Sequence, residues 1–349
     1  MVRATLVFMA LLAAVSQGGG QFWQTGGATN KLVLRGKSGT AGSMAFSPNG
    51  RRFAAADEKE IVIWDTDNAK EIMRLQAVKE IKRARDGVTA LAFNADGTLL
   101  ACGNYDGGLK VWDAATGKVR LSIECQNPVI AVGFHADAKS LVSIAGPDLW
   151  AVPTYEINVW DLRTGKATRS MRGQGASFGF KGLSLSPNGR VTAAVSYGER
   201  LTIWDVTTGR EQYTLEERIH GAPVFSPDSN SFATFVSGEA IIVWNVATGK
   251  AMRSLKLPSK DHYPREFAFS PDGKHLSAVV AHNRILDPAN GTRETYALHV
   301  WEIASGKETQ RKDIDSRVGF SVFSSDGNRR ALNNGDRTIR ISTQPGKKE

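Results

Sequence analysis

The chain has 349 residues, 41% of them hydrophobic, with 35 glycines; this excludes a disordered polymer and fits a real core joined by many turns. A formal net charge of +9, from 44 basic and 35 acidic residues, is mildly basic; it favours anionic partners or surfaces and is silent on fold. Two cysteines, Cys102 and Cys125, with no C-x-x-C pair, exclude a thiolate zinc site and a disulfide-stapled scaffold.

In chain order, residues 1–17 come first. Arg3 precedes an apolar run from Ala4 to Val15, and the small residues Ala14, Ser16 and Gly18 offer cleavage positions. This is the layout of a secretory signal peptide, so an extracytoplasmic location, periplasmic or secreted, is expected. The alternative is an apolar N-terminus that stays attached. The run is too short to cross a hydrocarbon layer of about 30 Å, so no membrane span is expected once the signal is removed. Residues 18–30, "GGGQFWQTGGATN", read as a flexible lead-in.

From residue 31 to 347 the chain repeats. One unit runs "IVIWDTDNAK" (61–70), "LKVWDAATGK" (109–118), "INVWDLRTGK" (157–166), "LTIWDVTTGR" (201–210), "IIVWNVATGK" (241–250) and "LHVWEIASGK" (298–307). A shorter copy, "IRISTQPGK" (339–347), has lost its Trp. Each copy opens on the apolar alternation of a β-strand and ends in a turn, rich in Gly and Thr across the set. Ahead of each stands a second unit, such as "AFSPNG" (45–50), "AFNADG" (92–97) or "AFSPDG" (268–273), in which Pro presets φ and Gly permits a positive φ. Each repeat is therefore four antiparallel strands joined by two tight turns.

These two motifs, recurring in fixed order, resemble the WD-repeat family over about residues 31–347. The resemblance implies an all-β fold, a seven-bladed β-propeller. The seventh copy supplies three strands, and "KLVLR" (31–35) stands alone before the first turn. The N-terminal strand is expected to join the C-terminal blade beside Ile339–Ile341 and close the ring, as is usual in the family. Many such blades hold a buried Asp, His, Ser/Thr and Trp network. Here the Asp is clear only at Asp106 and Asp336, and the Gly-His pair is absent, so packing is expected to hold the Trp side chains.

Spacing locates the irregular face. From first-strand Phe to Trp the distance is 18 or 19 residues in most copies (Phe46 to Trp64, Phe93 to Trp112), but 26 from Phe134 to Trp160 and 32 from Phe269 to Trp301. The tight turns keep a constant length until the last copy. A third excess follows Trp64. Loop insertions are thus expected at 76–87, 147–156 and 282–296, all on the face opposite the tight turns, the side on which repeat proteins bind. The candidate binding residues are Trp150, Tyr155, Arg284, Ile285, Leu286, Tyr296, Lys82, Arg83 and Arg85. Aromatic and Arg anchors suit an interface; the alternative is that the apolar ones fold back onto their own blade.

Chemistry finds little support. A propeller holding pyrroloquinoline quinone would place a Trp three residues after each turn Lys; Met73, Leu121, Arg169, Tyr213, Arg253 and Gln310 stand there. "AATGK" lacks the upstream Gly and following helix of a phosphate loop. "GASFG" around Ser177 lies in a loop rather than a strand–turn–helix elbow. Asp261, His262, His282 and Asp287 are the one set with any prospect as metal ligands, with no fixed geometry. Cys102 and Cys125 are expected two strand spacings apart, about 9–10 Å, too far for a disulfide. The expectation is a monomeric, non-catalytic platform with protein partners, without cofactor, metal or nucleic acid. The alternative is a ligand-binding or enzymatic propeller using the same face or the central channel.

Overall fold

The computed structural model describes residues 31–35, 43–57, 59–78, 87–146, 154–174, 180–196, 200–236, 238, 240–259, 262–270, 272–287, 291–314, 321–323, 329–333 and 338–343. All regular structure among them is β. The strands form seven four-stranded antiparallel sheets, each a meander of consecutive strands save one. Blade 1 comprises Met44–Phe46, Arg52–Asp57, Glu60–Asp65 and Glu71–Gln76. Blade 2 lies between Val88 and Glu124, blade 3 between Val129 and Gln174, and blade 4 between Phe180 and Leu215. Blade 5 lies between Ile219 and Lys256 and blade 6 between Tyr263 and Ile314.

Blade 7 combines the two ends of the chain. Its order is Lys31–Arg35, Thr338–Thr343, Arg329–Asn333, Ser321–Phe323. The first strand pairs antiparallel with the last, Leu32 opposite Ile341 and Leu34 opposite Ile339.

The core sits between blades rather than within them. Third strands are buried along most of their length, as at Ile61–Trp64, whereas the outer strand Glu71–Gln76 buries only Leu75. A single sheet cannot cover both of its faces, so each blade needs its neighbours. The Trp of each motif packs toward the preceding blade. Trp112 joins Ile63 and Leu75 of blade 1, Trp244 joins Ile203 and Leu215 of blade 4, and Trp64 joins Ala331, Ile339 and Ile341 of blade 7. Each large apolar side chain so buried contributes about 1.5–3 kcal/mol.

The insertion in blade 6 is not the loop that spacing suggested. The two central strands of the sheet, His275–Asp287 and Gly291–Glu302, continue as a paired ribbon, with Arg284 opposite Glu294, Ile285 opposite Arg293 and Leu286 opposite Thr292. β-Formers on both sides of the sequence Asp-Pro-Ala-Asn-Gly favour that pairing. The register slips between Ala281 and Arg284, where the ribbon leaves the sheet; such a bulge bends a strand. In blade 3 the third and outer strands, Thr154–Asp161 and Ala167–Gln174, are eight residues each against six in blades 1 and 2. Residues 79–86 and 147–153 lie outside the described residues.

Candidate interaction surface

The face of the tight turns is committed to structure. In "LKVWDAATGK" the Asp113 carboxylate accepts the Thr116 N–H at 3.0 Å and the Thr116 hydroxyl at 2.9 Å, while Gly117 N–H donates to Asp113 O at 2.8 Å. Arg120 donates to the other carboxylate oxygen at 3.0 Å. These bonds, Arg120 foremost, pull the Asp113 carboxyl down to about 2. Asn245 does the same work in blade 5, accepting from Thr248 N–H at 2.9 Å. In the first turn of blades 1, 4, 5 and 6 a Ser closes a second ring: Ser47 Oγ accepts from Arg52 N–H at 2.9 Å and donates to Asn49 Oδ1 at 2.8 Å. Ser186, Ser226 and Ser270 repeat it.

The positions that lack a quinoprotein Trp bind blade to blade. A Cβ added to Gly117 would meet Leu75 and Met73 of blade 1, and one on Gly165 would meet Leu121 of blade 2. On Gly249 it would stand 2.9 Å from the Tyr213 ring of blade 4. Three of these outer-strand residues also donate to the next blade's carbonyls. Arg169 reaches Val206 O at 3.3 Å, Tyr213 reaches Val246 O at 2.6 Å, and Arg253 reaches Ile303 O at 3.1 Å. Burial raises the Tyr213 phenol to about 12, which keeps it a donor. Between blades 7 and 1, Arg329 donates to Gly50 O at 2.9 Å and bonds Thr66 and Asp67. The signal was in the sequence, three residues past each turn cation, but only contact with the next blade gives it meaning.

Trp160, Trp244 and Trp301 are held by more than apolar packing. Trp160 Nε1 donates to Ser143 Oγ at 2.8 Å and Trp244 Nε1 to Thr234 Oγ1 at 2.7 Å, both from the fourth position of a second strand. Blades 1, 2, 4 and 6 carry Ala55, Cys102, Ala194 and Ala278 there. Trp301 instead stacks on the buried His299, ring centroids 5.6 Å apart, and His299 Nδ1 lies 2.8 Å from Glu308 Oε1.

On the opposite face the candidate residues divide. Arg284, Ile285 and Leu286 sit in the blade 6 ribbon, beyond the last pairing with its flanking strands at Ala281 and Tyr296. Tyr296 is half-buried at the ribbon's base. Tyr155 is only 1% exposed: it packs with Ile144, Leu185 and Val206 and meets the Trp204 ring edge-on at 6.3 Å. Tyr155 therefore belongs to the seam between blades 3 and 4, the folded-back alternative, because its strand runs on into the sheet. Trp150, Lys82, Arg83 and Arg85 lie outside the described residues. The ends of the segment that holds Lys82, Arg83 and Arg85 are fixed: Ala77 and Val78 N–H donate to Lys59 O at 2.9 and 3.0 Å, Lys110 Nζ reaches Ala77 O at 2.8 Å, and Tyr105 N–H donates to Gly87 O at 3.0 Å.

Reactive chemistry is sparse. Cys102 and Cys125 are both free thiols. Burial pushes the Cys102 thiol up to about 12 and the Cys125 thiol up to about 11, so neither is a thiolate near neutral pH. Among the described residues no group of three His, Cys, Asp or Glu side chains is placed to hold a metal ion. Asp261, Ser177 and the side chains of His282 and Asp287 lie outside the described residues. Among those described, no helix is long and apolar enough to cross a membrane.

A family model described as WD domain, G-beta repeat, matches residues 29–65 and 76–113. Over 196 residues the chain is 26% identical to periodic tryptophan protein 2 of Arabidopsis thaliana, covering 55% of this chain and 20% of that protein. Over 151 residues it is 22% identical to a target of rapamycin complex subunit of Schizosaccharomyces pombe, covering 43% of this chain and 45% of the relative. Over 71 residues it is 38% identical to guanine nucleotide-binding protein subunit beta-2 of Nicotiana tabacum, covering 20% and 18%. The chain thus spans less than half the length of these curated relatives. They are intracellular proteins, which overturns the extracytoplasmic location, periplasmic or secreted, that residues 1–17 suggested; that segment lies outside the described residues. Recurring turns, a four-stranded sheet per repeat and the matched repeats agree: the chain carries WD repeats at 29–65 and 76–113 and is similar to the WD-repeat family in its remaining units.

Proposed function

We propose that the chain is a non-catalytic platform for protein–protein interaction, engaging its partners through the face that carries the insertions at 76–87, 147–156 and 282–296. One observation carries this reading. The tight turns of the other face spend their carboxylates and hydroxyls on closing the turns and their glycines on close contact with the next blade, whereas the spacing of the repeats assigns the added length to this side. The blade 6 ribbon, with Arg284, Ile285 and Leu286, reaches past its own sheet. Trp150, Lys82, Arg83 and Arg85 belong to this reading through the sequence spacing that puts their segments among the insertions. Two of the relatives are named as subunits, one of a complex and one of a guanine nucleotide-binding protein, which supports partners that are proteins.

The test replaces residues 283–294 by an Asn-Gly turn and compares affinity capture from the native cell with that of the unaltered chain. The expected result is loss of captured proteins at an unchanged melting midpoint. Undiminished capture, or a visible-absorbing cofactor that co-purifies with the chain, would overturn the reading.

A further inference from the structure

The flank between blades 5 and 6 holds an open groove of about 580 Å³. One wall is the outer strand of blade 5, Ala251–Lys256; the other is the outer turn of blade 6 at Ser305 and Gly306, with Glu308 beyond. The strand pairs with Ala240–Asn245 on one side only, and its other edge closes no ladder in the sheet. Such an edge offers main-chain N–H and C=O groups to an incoming strand.

Among the described residues, the cations of this flank lack partner acids. On other outer strands Arg74 pairs with Glu60 and Glu71, Arg120 with Asp113, and Arg172 with Glu156, while Arg169, like Arg253, reaches a carbonyl of the next blade. The strand "AMRSLK" has no acid of its own. Arg253 uses Nε on Ile303 O, and among the described residues no carboxylate pairs with its terminal nitrogens or with Lys256. The one acid on the groove, Glu308, is already engaged by the buried His299. Met252 is 51% exposed beside these cations.

We propose that this groove takes an extended acidic segment of a partner protein, laid along the free edge of the blade 5 outer strand. Its backbone pairs with that edge. Its carboxylates meet Lys256 and Arg253, and an apolar side chain covers Met252. The site is separate from the insertion face, so it stands or falls independently of partners bound there.

Fluorescence anisotropy on the full chain decides it, with a labelled peptide of alternating Glu and Leu as probe. Binding should weaken as salt rises. Lys256→Glu combined with Met252→Glu should weaken it about tenfold or more without moving the melting midpoint. Alternate N-methylation of the peptide, which removes strand donors, should weaken it similarly. Equal binding of the Lys-Leu counterpart, or affinity unmoved by either the double substitution or the N-methylation, would overturn the proposal.

Discussion

Among the described residues, three other than glycine hold a positive φ, and all three occupy the repeat's glycine position. Ala138 (φ 54°) and Ser229 (φ 62°) end first turns, where Gly50, Gly97, Gly189 and Gly273 stand in other blades. Ala69 (φ 59°) ends an outer turn, where the others have Gly117, Gly165, Gly209, Gly249 and Gly306. The backbone geometry is therefore set by the repeat, and the side chain must tolerate it. An L-residue in that region costs about 1–2 kcal/mol, partly offset because glycine loses more freedom on folding. Ala138→Gly should stabilise by about 0.5–1 kcal/mol, seen as a rise of about 1–2 °C in melting midpoint. Ser229→Gly should gain less or nothing, because Ser229 Oγ accepts the Asn188 N–H of blade 4 at 3.2 Å and glycine removes that bond.

At the scale of the element, the outer turn is a small electrostatic device repeated around the molecule. The Arg120 guanidinium, then Thr116, hold Asp113 at about 2. The backbone N–H of Thr164 holds Asp161 below the usual carboxylate range, and the Thr98 hydroxyl does so for Asp96 in a first turn. A carboxyl depressed on folding contributes stability that is fully present above its unfolded pKa and is lost as pH falls through its folded one. Unfolding midpoints should thus be level above about pH 4 and fall progressively toward pH 2. Asp113→Asn should keep the turn, as Asn245 does in blade 5, and soften that acid dependence. A midpoint level down to pH 2 would contradict this. Both turns were legible in the sequence because they are local: Pro, Asp, Thr and Gly act within six residues of one another. The inter-blade donors were not. Tyr213 and Arg253 look like any outer-strand residues until the next blade's carbonyls are beside them.

For the whole molecule, the fold was readable because repetition multiplies a weak signal, and seven matching units leave little freedom in topology. The blade 6 insertion was readable by counting, but its form was not. Strand pairing of 284–287 with 291–294 depends on a partner strand, and the burial of Tyr155 depends on Trp204 of the adjacent blade. What makes the structure one object is the joining of its ends. Trp64 packs on blade 7, Arg329 reaches into blade 1, and Lys31–Arg35 adds the last strand. Without that strand, Thr338–Thr343 would be an open edge. The most direct test pairs Val33→Cys with Arg340→Cys, whose Cα atoms are register partners. Cross-strand partners in an antiparallel pair lie about 4.5–5.5 Å apart, within disulfide range. Oxidation of the folded chain should form this intramolecular bond and raise the melting midpoint in the absence of reductant. Two thiols that stay free under the same oxidation would contradict a ring closed by its first strand.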